Sequence, residues 1–282
     1  MKKILILFLF TISLMAQPKK IYFFGDSITN GGNLTNAYPI LVANALGMTL
    51  VNHKQNAVGG TTMMTQTPSC LVDCRSMEYR VDTNQIPIYN SATDGLLFVA
   101  YLTNDVGINY TNYNIENFGK AIDKIIQALY KAGWNKDNIK FNVRYFITND
   151  GLSKYPLSGN YGKFTASTIE KYNAFAELLR NKLDEQGIQY FDHYDLLNAI
   201  PDALTHLPDK VHPDAYFHSI IAKNIIDNIK LPTLSINNFE LDNTFKNVQY
   251  FNLLGQKVKE TKGIVIIKAE KNGIVYTKKI ML

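Results

Sequence analysis

The sequence predicts an α/β protein: a three-layer α/β/α sandwich around a mostly parallel sheet, followed by a small all-β domain. Three observations carry this prediction. Short runs that are apolar on both faces recur along residues 20–230, as strands covered by helices on both sides require. Segments of helical period separate them, and such alternation implies right-handed crossovers. After Lys230 the helical period stops, and short strand-like runs alternate with turns. Hydrophobic residues make up 46% and charged residues 19%, a globular balance that excludes a disordered or fibrous chain. At 282 residues the length suits one medium domain plus an appendage.

The elements follow in order. Ile21 to Phe24 is the first strand, closed by Gly25-Asp26-Ser27. Tyr38 to Leu46 has helical spacing, and Gly47 is its natural stop. Thr49 to Asn52 is the second strand and Gly95 to Tyr101 the third. Asn114 to Ala132 is an amphipathic helix with Ile115, Phe118, Ile122, Ile125, Ile126 and Leu129 on one face. Ile139 to Ile147 is the fourth strand and Ser167 to Gln186 a second long helix. Ile188 to Phe191 is the fifth strand, and Ala215 to Ile229 the last helix. Leu231-Pro232-Thr233 breaks the pattern. Beyond it, Val248 to Phe251, Gly263 to Ala269 and Gly273 to Ile280 read as strands. A domain of about fifty residues needs careful packing to be stable alone.

The charge is unevenly placed. The 29 Lys and Arg against 24 Asp and Glu give +5 with His neutral. Residues 232–282 hold eight Lys and four acids, hence +4; Lys2 and Lys3 add +2, so residues 17–231 carry −1. A broadly basic groove on the main domain is excluded, and no nucleic-acid partner is expected. At the start, Lys2 and Lys3 precede an apolar stretch from Ile4 to Met15, and Ala16 stands before polar Gln17. That is a secretory signal layout, with residues 1–16 expected to be removed. The stretch is too short to span a bilayer comfortably, so no stable membrane span is expected. Cys70 and Cys74 bracket Leu-Val-Asp. In an oxidising compartment they are either a local disulfide staple or two free thiols, the staple being preferred. Two Cys without a nearby His make a poor zinc site.

Four strand-end or loop segments carry groups suited to acyl transfer, and sites in open α/β sheets form beyond the strands' carboxyl ends. Gly25-Asp26-Ser27-Ile28-Thr29 follows the first strand and can present the Ser27 hydroxyl upward. Asn56 to Thr62 contains Gly59-Gly60, which lets a backbone N–H face a substrate. Thr103-Asn104-Asp105 follows the third strand, and Asn104 can offer a side-chain N–H to an oxyanion. Asp209-Lys-Val-His212-Pro213 supplies a general base, His212, and a carboxylate to orient it, Asp209. Each motif alone reads more readily as a turn or a cap; their joint order gives them weight. His218, six residues past His212, reads as a helix residue packed near the site entrance.

These residues give the chain its resemblance. Over residues 20–230 it resembles the SGNH (GDSL) serine esterases and lipases, with Gly25–Thr29, Asn56–Thr62, Thr103–Asp105 and Asp209–Pro213 as the family's blocks. The resemblance implies Ser27 as nucleophile, His212 as base and Asp209 as its partner. It implies Gly60 and Asn104, with the Ser27 backbone N–H, as oxyanion donors, and no cofactor. Two positions depart from it. Leu102 stands where a Gly is usual and is expected to narrow the acyl side of the pocket. Thr61 stands where many relatives have Asp.

The tail has a second resemblance. Val248 to Val258, Lys262 to Lys268 and Tyr276 to Ile280 resemble a C-terminal sorting domain of type IX secretion, without its usual Asn-Pro start. With the signal layout this implies export to the medium or cell surface, with the secretion machinery as partner. The alternative is a small carbohydrate-binding or packing module. The expected function is a secreted serine esterase, first a carbohydrate O-acetylesterase acting on acylated carbohydrate. The alternatives are a lipase or lysophospholipase and a catalytically idle surface protein on the same fold.

Overall fold

Strands form where the apolar runs lie. The computed structural model describes residues 19–65, 75–107, 114–145, 166–209, 211–231, 246–251, 257–258, 264–271 and 274–281. In chain order the first unit contains β1 (Lys20–Gly25), α1 (Ser27–Asn30), α2 (Tyr38–Ala45), β2 (Thr49–Leu50) and α3 (His53–Asn56). Then come α4 (Met77–Asp82), β3 (Asp94–Ala100), α5 (Thr103–Gly107), α6 (Ile115–Lys131) and β4 (Ile139–Asn142). It closes with α7 (Ala166–Gln186), β5 (Gln189–Phe191), α8 (Tyr194–Asn198), a 3₁₀ turn (Ala203–His206) and α9 (Ala215–Asn228).

The five strands pair in the order β2-β1-β3-β4-β5, and every pairing is parallel. Alternate residues of β1 and β3 serve opposite faces. Tyr22, Phe24, Leu97 and Val99 pack with Phe118, Ile122, Phe175 and Leu179 of α6 and α7. Ile21, Phe23, Leu96 and Phe98 pack with Val42, Phe217, Ile221 and Ile225 of α2 and α9. Two apolar layers on one sheet make the expected three-layer sandwich. Strand order reverses at β1, whose neighbours are β2 and β3, so a crevice opens at its carboxyl end.

Several boundaries differ from the sequence reading. β4 ends at Asn142 rather than Ile147; the Tyr145 N–H leaves the ladder for the Tyr172 hydroxyl at 2.9 Å, and residues 146–147 lie outside the described set. Ile115 is 46% exposed, because it opens α6 beside its cap Asn114 and not over the core. The short helices α1, α3, α4, α5 and α8 have four to six residues, too few to show a period.

The chain divides into two compact units, residues 1–231 and 232–282. The second contains β6 (Lys246–Phe251), β7 (Lys257–Val258), β8 (Ile264–Lys271) and β9 (Ile274–Met281), an antiparallel sheet in the order β7-β6-β8-β9. Among the described residues, no helix is long and apolar enough to cross a membrane.

Candidate active site

The site begins at the turn from β1 into α1. A Cβ on Gly25 would stand 2.3 Å from Thr29 Oγ1 and 2.7 Å from the Ala100 carbonyl, so only glycine fits. Asp26 caps α1: its Oδ1 accepts the Ile28 N–H at 3.0 Å. Burial pushes the Asp26 carboxyl up to about 6. Ser27 follows as the first residue of α1, half-buried, at the strand end.

The loop before α9 brings His212 to Ser27. His212 Nε2 lies 2.7 Å from Ser27 Oγ across 185 positions of sequence. Its Nδ1 lies 2.6 Å from Asp209 Oδ2. The other oxygen, Asp209 Oδ1, accepts the His212 N–H at 2.7 Å and the Val211 N–H at 3.1 Å. Partial burial raises the Asp209 carboxyl, but these bonds from His212 and Val211 outweigh it and hold the group below its usual value. The carboxylate fixes the proton on Nδ1, so Nε2 accepts from the Ser27 hydroxyl. Asp214 secures the loop from the other end. It caps α9 by accepting the Phe217 N–H at 3.0 Å, and its Oδ2 meets His206 Nδ1 at 2.9 Å.

Two further segments converge on β1. The Val58 N–H donates to the Gly25 carbonyl at 2.9 Å, which ties the loop after α3 to the turn that carries Ser27. Gly60 takes φ +75°, a conformation that favours glycine. Thr61 is the stitch: its hydroxyl donates to Val58 O at 2.7 Å, and its carbonyl accepts from Asn104 Nδ2 at 2.9 Å. An Asn amide has two N–H groups, so this bond uses one of them. Asp105, which reads from the sequence as a helix cap, anchors the same junction. Its carboxylate accepts the Met63 N–H at 2.9 Å and the Met64 N–H at 3.1 Å, and burial pushes it up to about 7. Leu102 is fully buried in the apolar core and lies outside the lining of the cavity described next. Its backbone keeps φ +111°, where glycine is favoured.

A cavity of about 590 Å³ opens beside Ser27 and His212. Its charged lining is balanced: Lys54 and Arg75 against Asp209 and Asp214. Lys54 braces one wall, with Nζ donating to the Asn30 carbonyl at 2.5 Å and the Gly32 carbonyl at 2.6 Å. His218 lines it too, and is buried more deeply than an entrance residue. No group of three or more His, Cys, Asp or Glu suited to a metal occurs among the described residues. Cys70 and Cys74 lie outside the described residues, as do residues 1–16.

A serine hydroxyl bonded to an imidazole, itself held by a carboxylate, is the constellation of serine hydrolases, and it sits on an α/β sandwich at the strand-order reversal. The chain belongs to the GDSL-like lipase/acylhydrolase family, whose profile matches residues 21–225. It is a carboxylic ester hydrolase. Its fold is similar to that of a lipase/acylhydrolase from Enterococcus faecalis, at 14% identity, 76% of this chain, 97% of that one and a TM-score of 0.54. A GDSL-like lipase from Bacteroides thetaiotaomicron matches at 15% identity, 74% of this chain, 88% of that one and a TM-score of 0.50. A protein of Lactobacillus plantarum matches at 18% identity, 74% of this chain, 95% of that one and the same score. No curated protein gave a significant match.

Proposed function

We propose that the hydrolase acts by two-step acyl transfer through Ser27, His212 and Asp209. The observation that carries this is the unbroken hydrogen-bonded run from Asp209 through His212 to Ser27. His212 takes the Ser27 proton as the hydroxyl attacks the ester carbonyl. The Ser27 and Gly60 backbone N–H groups and the Asn104 amide receive the oxyanion. His212 then protonates the leaving alcohol, and water repeats the sequence to free the acid. Ser27→Ala is expected to abolish p-nitrophenyl acetate hydrolysis with far-UV circular dichroism unchanged, and a fluorophosphonate is expected to label Ser27. Full activity in the variant would sink the assignment.

The substrate we propose is an O-acetylated carbohydrate. A cavity with balanced charge beside the serine supports an uncharged ester. Acetate release from acetylated oligosaccharides, compared with acid release from long-chain acyl esters, tests it. Faster cleavage of the long-chain esters would favour a lipase instead. We also infer export, from the apolar segment after Lys2 and Lys3 and from the basic β-rich tail. Deleting residues 232–282 should then abolish export and leave esterase activity; lost binding to acetylated glycan would favour a binding module.

A further inference from the structure

The cavity beside Ser27 contains a second imidazole. His218, on α9, is 1% exposed and lines the cavity with His212. Its Nδ1 lies 3.2 Å from the Tyr38 backbone N, and its ring stacks on Tyr38 with centroids 5.9 Å apart. A backbone N–H can only donate, so Nδ1 is the acceptor and the proton sits on Nε2. Burial holds the ring neutral, with its pKa pushed down to about 4; His212 and Lys54 act in the same direction, and Asp214 opposes them. The tautomer is therefore fixed across the neutral range. Nε2 has no hydrogen-bond partner among the described residues, and it is not one of the unpartnered atoms sealed in the interior. A buried ring that lines a cavity, with one N–H unpartnered among the described residues, can satisfy that N–H from what fills the cavity.

The position of the cavity says which part of the ester fills it. The leaving oxygen must meet His212 Nε2 to be protonated, whereas the oxyanion faces Gly60 and Asn104. The cavity is lined by Ser27 and Gly59 as well as by His212, Pro213 and His218, and not by Gly60 or Asn104. His218 shares with His212 and Pro213 the part of the lining that the leaving group must approach. We propose that His218 is a specificity-determining donor that reads an oxygen on the alcohol part of the ester. This rests on the catalytic roles given above to Ser27 and His212. The chemistry selected is an alcohol with a second oxygen, an ether or a hydroxyl, within reach of the esterified one, as sugars and polyols have.

The test uses esters that share an acetyl group and a ring shape: cyclohexyl acetate against tetrahydropyran-3-yl and tetrahydropyran-4-yl acetate. The full chain is expected to favour the better ether by about three- to tenfold in kcat/KM, the size of one neutral hydrogen bond. His218→Phe should bring that ratio close to one, and His218→Gln, which retains an N–H donor, should restore part of it. The ratio is the readout, because damage to the fold lowers both rates together. If the Phe variant does not fold, His218→Met removes the donor at similar volume. A wild-type ratio near one, or a preference that survives loss of the donor, overturns the proposal. Failure of the carbohydrate reading looks different: the ether preference would stand while acetylated methyl glycosides go uncleaved.

Discussion

Ser27 is approached by two arms built in opposite ways. The arm carrying His212 and Asp209 is a rim loop: their side chains are 36% and 42% exposed. It is held by short local hydrogen bonds from within three residues of Asp209. The arm carrying Asn104 lies at the buried end of β3. Leu102, Thr103 and Asp105 are all sealed, and the Asp105 carboxylate grips the neighbouring loop through Met63 and Met64. The difference follows from what each arm is asked to do in the proposed mechanism. A proton carrier must trade protons with a leaving alcohol and then with water, so access helps it. Donors for an oxyanion act by being fixed before charge develops, so rigidity helps them. Burial supplies that rigidity at the cost of desolvating a carboxyl and forcing a backbone.

The largest effect expected from breaking the contrast is at its functional tip. Asn104→Ala should lower kcat by about 10²–10³ with little change in KM, as loss of one oxyanion donor does. Steady-state kinetics on p-nitrophenyl acetate measures it. A loss confined to KM would mean that Asn104 binds the ground state and not the oxyanion.

Asp105→Asn probes the support beneath that tip. The variant keeps one carbonyl acceptor for two backbone donors, and kcat is expected to fall about tenfold as the Met63–Met64 junction loosens. Its stability has a signed dependence on pH. The Asp105 pKa is raised from 3.8 to about 7 in the folded chain, so the native state binds the proton more tightly than the unfolded one. The stability this group contributes is full below pH 4 and is lost as pH rises to about 7. Asp26, raised to about 6, acts in the same direction. His193 and His218, both lowered to about 4 by burial, act in the opposite one, gaining stability as pH rises. The difference between wild type and variant cancels these three. Melting temperatures should show the wild type's margin shrinking from pH 4 to 7 and level above it. A margin that widens with pH would mean that the backbone amides, not burial, dominate at Asp105.

The sheet and the residues that meet at Ser27 are legible in the sequence for different reasons. Apolar runs such as Ile21–Phe24 and Gly95–Tyr101 needed only burial on two faces, which composition records directly. Ser27, Asp209 and His212 were readable because each stands at the end of an element, where a short polar motif interrupts apolar sequence. Asp105 was not, because an Asp beside Asn104 looks like an ordinary helix cap; only the fold shows it reaching back to Met63. His218 was placed near the site but not in it, since the decisive fact is an amide 180 positions away that fixes its tautomer. Leu102 is hard to read for a related reason. A Leu in place of Gly suggests added bulk in a pocket, yet the side chain turns into the core while the backbone keeps the glycine conformation.

That backbone gives the finest test of the contrast. At φ +111° a side chain is strained, at about 1–3 kcal/mol for such positions. Leu102 tolerates this because its side chain is fully buried, which is worth about 2–5 kcal/mol against truncation to Ala. Both Leu102→Ala and Leu102→Gly should therefore destabilise the protein. Their order is the informative part. At an ordinary site Gly is less stable than Ala by about 0.5–1 kcal/mol, through the freedom it gains when unfolded. At residue 102 Ala keeps the strain and Gly releases it, so Gly should exceed Ala by about 1 kcal/mol in urea unfolding. If Ala is the more stable, residue 102 carries no strain, and the rigidity of the Asn104 arm comes from the grip of Asp105 alone.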